Sequence, residues 1–336
     1  MKRKGCNLYQ KKNMLFSDAA RLWLQSQQPY WKPSTYSAYC QLLKKYILPY
    51  FGNTKITKIT NQEMDNFASY IIVHSENKNL STNYVSQICD IILRVLAYME
   101  KKYQYKVLLP DNPAGKKRSA QILLPCDHSF MRLEQYLFMH AEQDTCLGIL
   151  IAFHTGIRIG ELSALTWDDI HLEEKLIYIR KNILRIKEPE NILNTTHKMT
   201  HIIEQSPKTS DSVRNIPIPP KLIPLLQKYR REDSSYIISG IKNPWAEPRT
   251  IQYRFQSILK KCDITPFNFH MLRHGFATRC IAMGLDVKSL SEILGHSSIQ
   301  ITLSLYVHPT AQQKRNLMEQ YDSFYQSSSQ GILLFS

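Results

Sequence analysis

From residue 16 to residue 105 the apolar side chains recur at helical spacing and show no strand alternation. This limits the fold more than any other feature, because it removes sheets from the first third of the chain. Tyr36, Tyr39, Cys40, Leu43 and Ile47 form one such stripe, the pattern of a helix that buries one face. Ser17 is placed to cap a helix running through Trp23 and Leu24, and Ser34 or Thr35 to cap the next. Thr60-Asn61-Gln62-Glu63 has the form of a capping box, with Met64, Phe67 and Ile71 turned inward. A fourth helix, from near Ser81, carries Val85, Ile88, Ile92, Val95 and Met99. Amphipathic helices without strands bury their stripes against one another, so residues 16–107 predict a small helical bundle.

The texture changes over 108–127, where prolines, a glycine and the cluster Lys116-Lys117-Arg118 mark a basic linker. Residues 1–15 read as a basic tail, 128–310 as a second domain and 311–336 as a C-terminal tail. The second domain mixes elements. Helices are expected near 129–142, 144–152, 220–231, 249–262, 268–283, 286–294 and 298–306. Short strands are expected at 175–180, 201–204 and 214–219, with a polar insertion around 186–200. The class is mainly α, with a helix-rich α+β second domain holding a small antiparallel sheet.

Charge narrows the partner. The chain's 336 residues include 43 Lys+Arg against 28 Asp+Glu, a formal charge of +15. Such a balance favours a polyanion, either nucleic acid or an anionic membrane. The longest clearly apolar run, LGILIAF at 147–153, is far too short to span a bilayer. The basic start leads into no apolar stretch, so no signal peptide is expected and the membrane falls behind nucleic acid. The seven cysteines (6, 40, 89, 126, 146, 262 and 280) form no CxxC pair and read as reduced core thiols of a cytosolic protein.

Four short stretches carry chemistry. In HMLRH, His270, Arg273 and His274 share one helix face, and Asn268 is a plausible N-cap that puts His270 in the first turn. Free N–H groups there suit an oxyanion; the plainer reading is a half-buried histidine beside a surface arginine. His270/His274 and His197/His201 also have the i, i+4 spacing of a zinc site. HMLRH lacks the glutamate of HExxH, however, and Arg273 would repel a cation. In HTGIRIGEL, Gly156 permits a tight turn and Glu161 can hold the guanidinium of Arg158, or the two form a surface ion pair. In PKTSDSVRNIPIP, Lys208 sits at the tip of a predicted hairpin, where a lysine is usually just solvated. In ILGHSSIQITLSLY, Gly295 ends one helix, His296 lies in the turn, Ser297 or Ser298 caps the next helix, and Tyr306 falls near its end.

In the order Arg, Lys, His-x-x-Arg, His, Tyr, these residues resemble the tyrosine recombinase (phage integrase) family. The matching positions are Arg158, Lys208, His270, Arg273, His296 and, ten residues on, Tyr306. FSDAARLWLQSQ and KPSTYSAYCQLLKKYILPYFGNTKITKIT look like the family's SAM-like core-type DNA-binding domain. The resemblance covers about 16–310.

The resemblance implies an enzyme that breaks and rejoins DNA. Tyr306 would be the nucleophile, His270 the base, Lys208 the general acid, and Arg158, Arg273 and His296 the phosphate-holding donors. Glu161 and His274 would support them. No metal, cofactor or ATP is implied. The partners would be double-stranded recombination sites clamped between the two domains, a homotetramer on synapsed sites, and an accessory DNA-bending or directionality factor. Lys32, Lys44, Lys45, Lys116, Lys117 and Arg118 are candidate phosphate contacts. The setting would be the cytoplasm of a bacterium, at the nucleoid when bound to DNA. About 15 residues precede the first helix, so an arm-binding domain is not expected and arm-site binding is in doubt. The apolar end, Ile332 to Phe335, is a candidate anchor for docking on a neighbouring subunit. Two other functions share parts of this pattern: a type IB topoisomerase-like enzyme and a DNA-binding regulator with an inactive site.

Overall fold

The structure is a computed structural model. It describes residues 13–74, 80–114, 124–187, 200–205, 213–306 and, near the C-terminus, 315, 318, 319 and 321–323. The chain divides into two units, Met1–Gln121 with Arg185–Ile203, and Ile122–Leu184 with Glu204–Ser336.

The first unit is built on helices α1 (Phe16–Gln27), α2 (Pro33–Leu42), α3 (Leu48–Phe51), α4 (Asn61–His74) and α5 (Thr82–Tyr103). Helix α5 forms the spine and buries Val85, Ile88, Cys89, Ile92, Val95, Leu96 and Met99. Each large aliphatic side chain buried this way contributes about 1.5–3 kcal/mol. Met64, Phe67 and Ile71 of α4 face the same core, as their spacing predicts. Ser81 caps α5 by accepting the Tyr84 N–H at 3.3 Å, and Thr60 Oγ1 accepts the Glu63 N–H at 3.4 Å.

Two expected caps are corrected. Helix α1 starts at Phe16, ahead of Ser17, because the loop at 52–54 supplies the acceptors. Phe16 N donates to Thr54 O at 2.9 Å and Ser17 N to Gly52 O at 3.1 Å. Helix α2 starts at Pro33, whose missing N–H suits the first helical position, so Lys32 is its N-cap rather than Ser34 or Thr35. Between α2 and α3 the helix widens into one π turn, Leu43–Ile47, in which Leu48 N–H reaches back to Leu43 O. Pro49 has no N–H to offer Lys45 O, which gives the slip a local cause. Lys44 and Lys45 lie exposed on that turn.

The second unit opens with α6 (Asp127–Met139), α7 (Asp144–Thr155) and α8 (Ile159–Ala164). Helix α7 is apolar nearly all round, and Cys146 to Phe153 are buried throughout, as befits a helix covered on every side. Five strands follow along the chain: β1 (Ile170–His171), β2 (Leu176–Ile179), β3 (Asn182–Lys187), β4 (Thr200–Gln205) and β5 (Arg214–Pro217), of which β3 and β4 run across the boundary between the units. Strands β1, β2 and β5 form an antiparallel sheet in which Ile177 faces Ile216 and Ile179 faces Arg214. Then come α9 (Ile223–Lys228), α10 (Pro248–Lys261), α11 (His270–Ala282), α12 (Val287–Leu294) and α13 (Ile299–Tyr306). One large core joins α6, α7, α10 and the sheet, and a small one, of Ala277, Cys280, Leu290 and Leu294, fixes α12 on α11.

The hairpin expected around Lys208 does not form as drawn. Strand β4 pairs with β3 and β5 pairs with β2, so the two strands expected to flank Lys208 belong to different sheets. Strand β3 lies at the edge of what reads as a polar insertion. Its buried residues Ile183 and Ile186 are three apart and mask the alternation of a strand. Lys208, Lys116, Lys117, Arg118, the insertion beyond Lys187 and the end from Ile332 to Phe335 lie outside the described residues. Of the six described cysteines, Cys126 is exposed at the N-cap of α6, contrary to the expectation of core thiols only.

Candidate active site

The site grows from the chain's turns. Gly156 ends α7 with φ +66°, a conformation that favours glycine, and a Cβ there would meet Phe276 Cδ1 at 2.7 Å. Two residues on, Arg158 is the N-cap of α8, and its N–H donates to Glu161 Oε2 at 2.8 Å, as in the return half of a capping box. Arg158 Nη1 donates to the other oxygen, Oε1, at 2.8 Å. The expected ion pair is therefore present. It is no surface pair, because Glu161 is 4% exposed.

Glu161 has a second partner that the sequence reading did not single out. Arg214, the first residue of β5, donates from Nη1 to Oε1 at 3.1 Å and from Nη2 to Oε2 at 2.8 Å. Burial alone would push the Glu161 carboxyl up. The hydrogen bonds and charge of Arg214, then the charge of Arg158, outweigh it and hold the pKa down to about 2.

Helix α11 begins where Asn268 Oδ1 accepts the His270 N–H at 3.0 Å, so His270 does stand in the first turn. Arg273, one turn on, is 2% exposed. Its Nη1 donates to Gly156 O at 2.8 Å and its Nη2 to Leu294 O at 2.7 Å. The His270 and His274 rings meet edge-on with centroids 4.7 Å apart.

These pieces meet at the carboxyl end of α12. Ile293 O accepts from Arg214 Nε at 2.6 Å, Leu294 O from Arg273, and Gly295 O from Arg158 Nη2 at 3.0 Å. Three successive carbonyls thus take three guanidiniums, where helical carbonyls lack partners and the dipole is negative. Gly295, at φ +64°, turns the chain out of α12, and a Cβ there would lie 3.0 Å from Arg214 Cδ. His296 follows, its Nδ1 sharing a 2.8 Å hydrogen bond with the buried Thr302 hydroxyl. Ser298 Oγ accepts the Gln300 N–H at 3.2 Å, and α13 runs to Tyr306. The side chain of Tyr306 is outside the described residues.

The histidines report the field of this cluster. His270 keeps a face open to solvent. Even so, loss of water around the ring, then the charges of His274, Arg273 and Arg158, bring its pKa down to about 4. His296 falls to about 3 through burial, then Arg273, Arg158, Arg214 and His270. His274 is lowered by burial and by Arg273. At neutral pH all three are uncharged, beside arginines that one carboxylate only partly balances. Such a cluster suits an anion with several oxygens. Arginine forks can hold those oxygens, and neutral imidazoles can accept or share a proton.

The structure brings Arg158, Glu161, His270, Arg273, His274 and His296 together. Lys32, Lys44 and Lys45 belong to the first unit, where Lys45 Nζ lies 5.3 Å from the Tyr46 ring centroid. For the zinc alternative, no three His, Cys, Asp or Glu gather as metal ligands among the described residues. None of their helices is long and apolar enough to cross a membrane.

Residues 129–313 match the model of the phage integrase family, and residues 15–72 match the phage integrase N-terminal SAM-like domain. A tyrosine recombinase XerC-like protein of Caldanaerobacter subterraneus is 30% identical over 230 residues, 64% of this chain and 57% of that protein. The ICEBs1 integrase of Bacillus subtilis is 24% identical over 93% of this chain and 83% of its own. Among solved structures, the Tn1549 transposon integrase in complex with a circular intermediate DNA superposes with a TM-score of 0.70. That match is 19% identical and covers 90% of this chain and 99% of the other.

Proposed function

The chain belongs to the phage integrase family, and from that premise we propose that it is a site-specific DNA recombinase, integrating and excising a mobile element or prophage. The observation that supports this best is the net positive cluster at the end of α12, with three arginines and three uncharged histidines around it.

The chemistry follows from the groups. The Tyr306 oxygen attacks a backbone phosphorus in line. Its proton passes to His270, since a phenol with pKa near 10 needs a base at neutral pH. The P–O5′ bond breaks, Lys208 protonates the leaving 5′-oxygen, and a 3′-phosphotyrosyl bond remains. Arg158 and Arg273 hold the non-bridging oxygens, and His296 adds a donor, so the charge that gathers in the transition state meets groups already fixed in place. Glu161 and His274 steady them. The reverse attack, by the 5′-hydroxyl of another strand, reseals the backbone. The phosphodiester energy is kept in the tyrosyl bond, so the scheme calls for neither ATP nor a metal, and cleavage is expected to survive EDTA. Strand exchange would run in a homotetramer on two duplex sites, with an accessory factor setting direction, in the bacterial cytoplasm.

Covalent trapping tests the reading. The protein is incubated with nicked duplexes from DNA flanking its own gene and run on a denaturing gel beside Tyr306→Phe. A shifted band that vanishes in the variant is expected. Tight binding without a band would favour the regulator, and relaxation of any supercoiled plasmid without strand exchange would favour the topoisomerase. The candidate phosphate contacts make a separate prediction. Each of Lys32, Lys44, Lys45, Lys116, Lys117 and Arg118 that neutralises a phosphate adds about 0.9 to the slope of log affinity against log salt. Changing any of them to alanine should flatten a measured slope by that amount, and an unchanged slope removes that residue from the interface.

A further inference from the structure

Arg214 is buried against the site and has no part in the scheme above. It is 8% exposed, and both edges of its guanidinium are engaged by the protein. One edge grips both oxygens of Glu161, the carboxylate that also holds the side chain and N–H of Arg158. The other edge holds Ile293 O, the first of the three carbonyls whose successors hold Arg273 and Arg158. A carboxylate held by one arginine can swing about its own bond. Gripped bidentately from a second side, it has one orientation, and so does the arginine bound to it.

The burial argues in the same direction. A buried ion pair adds little stability over well-packed apolar residues of the same volume. A Cβ at Gly295 would press on Arg214 at 3.0 Å from both Cδ and Nη1, so the turn before His296 lies close against this side chain. Arg214 also opens β5 six residues after Lys208.

Resting on the recombinase reading, we propose that Arg214 is a positioning residue: it fixes Arg158 and the His296 turn, through Glu161 and the Ile293 carbonyl, without touching DNA.

The test uses the full-length protein and the trapped duplex in two forms, one with the natural scissile phosphodiester and one with an uncharged methylphosphonate there. On the phosphodiester, at saturating DNA, Arg214→Gln should slow covalent adduct formation about 100-fold, the scale of a small misplacement of reacting groups. Its affinity for the duplex should stay within about twofold, because the residue is buried away from the backbone. On the methylphosphonate the ratio of wild type to variant should shrink to about tenfold or less, because a methyl group replaces one non-bridging oxygen and less charge gathers for a well-placed arginine to stabilise. Equal ratios on both duplexes would overturn the proposal, as would wild-type cleavage by the variant. Should Arg214→Gln not fold, Arg214→Lys keeps the charge but cannot span both partners, and the same two ratios decide. Wild type that binds the duplex and gives no adduct would overturn the recombinase reading and this inference with it, and the wild-type lane distinguishes that failure from the others.

Discussion

The two units bury different things. Among the described residues, the first unit's core is aliphatic and aromatic, with only Ser37 and Ser86 as buried polar side chains. Its aromatic residues pack tilted or edge-on against one another, as Trp31 does on Tyr39 with centroids 4.6 Å apart and planes at 44°. The second unit buries Glu161, Asp169, Arg214 and Arg273 besides several hydroxyls. Burying charge is costly unless every group is paired, and the first unit builds its core without it. The contrast teaches where to look for chemistry: in the unit that bears a cost its own packing does not require.

The largest test of that contrast removes a buried polar group from each unit. Glu161→Ala leaves two arginines without their carboxylate and should lower stability by about 3–5 kcal/mol. Ser86→Ala, which loses a hydrogen bond from Asn112 Nδ2, should lower it by about 1 kcal/mol. Urea denaturation of the two variants compares them, and equal losses would erase the distinction.

Acid is the next probe. His154, His270 and His296 titrate near 4, 4 and 3 in the folded protein, His154 mainly because burial strips its water. In the unfolded chain each returns to about 6.5. The unfolded state therefore binds more protons between those values. The stabilising contribution is complete above pH 6.5 and is lost as pH falls through 4 towards 3. Thermal melts should show this slope, with hydrogen exchange placing the loss in the second unit. Bound DNA should reverse the shift: NMR titration with a duplex site is expected to raise the His270 and His296 pKa values as the phosphate offsets the arginines.

The smallest effect separates stability from rate. Ser81→Ala and Asn268→Ala each remove a side chain that accepts an N–H at a helix start, and each should lower stability by about 1 kcal/mol. Only Asn268→Ala loosens the turn that carries His270, so only it should slow covalent adduct formation at saturating DNA. Matching rates would show that the cap has no bearing on catalysis.

Most of the first unit is readable in the sequence because α4 and α5 hold a regular helical period, and Phe67 or Ile92 declares its inward side by spacing alone; the π turn at Leu43–Ile47 is the exception. The same local logic found Gly156, Glu161, Asn268 and Gly295, whose tasks are settled within a few residues. It failed where partners are distant or belong to the main chain. Arg214 meets Glu161 across 53 positions and Ile293 O across 79, and nothing in RNIPIP announces either. The sheet pairing failed for a related reason: β4 has the composition to pair with β5, and only the third dimension gives it to β3.

The end of α12 has one more consequence. The arginines Arg214, Arg273 and Arg158 are gripped there by backbone oxygens, so the identities of the side chains at 293 and 294 do not enter those bonds. Ile293 and Leu294 can drift among apolar residues that still pack, and the grip persists. Gly295 cannot drift in the same way. A lineage of such proteins would therefore look loosely related over this stretch while keeping the same anchor for its cations, and mutational tolerance and mechanical importance would coincide at the same two positions.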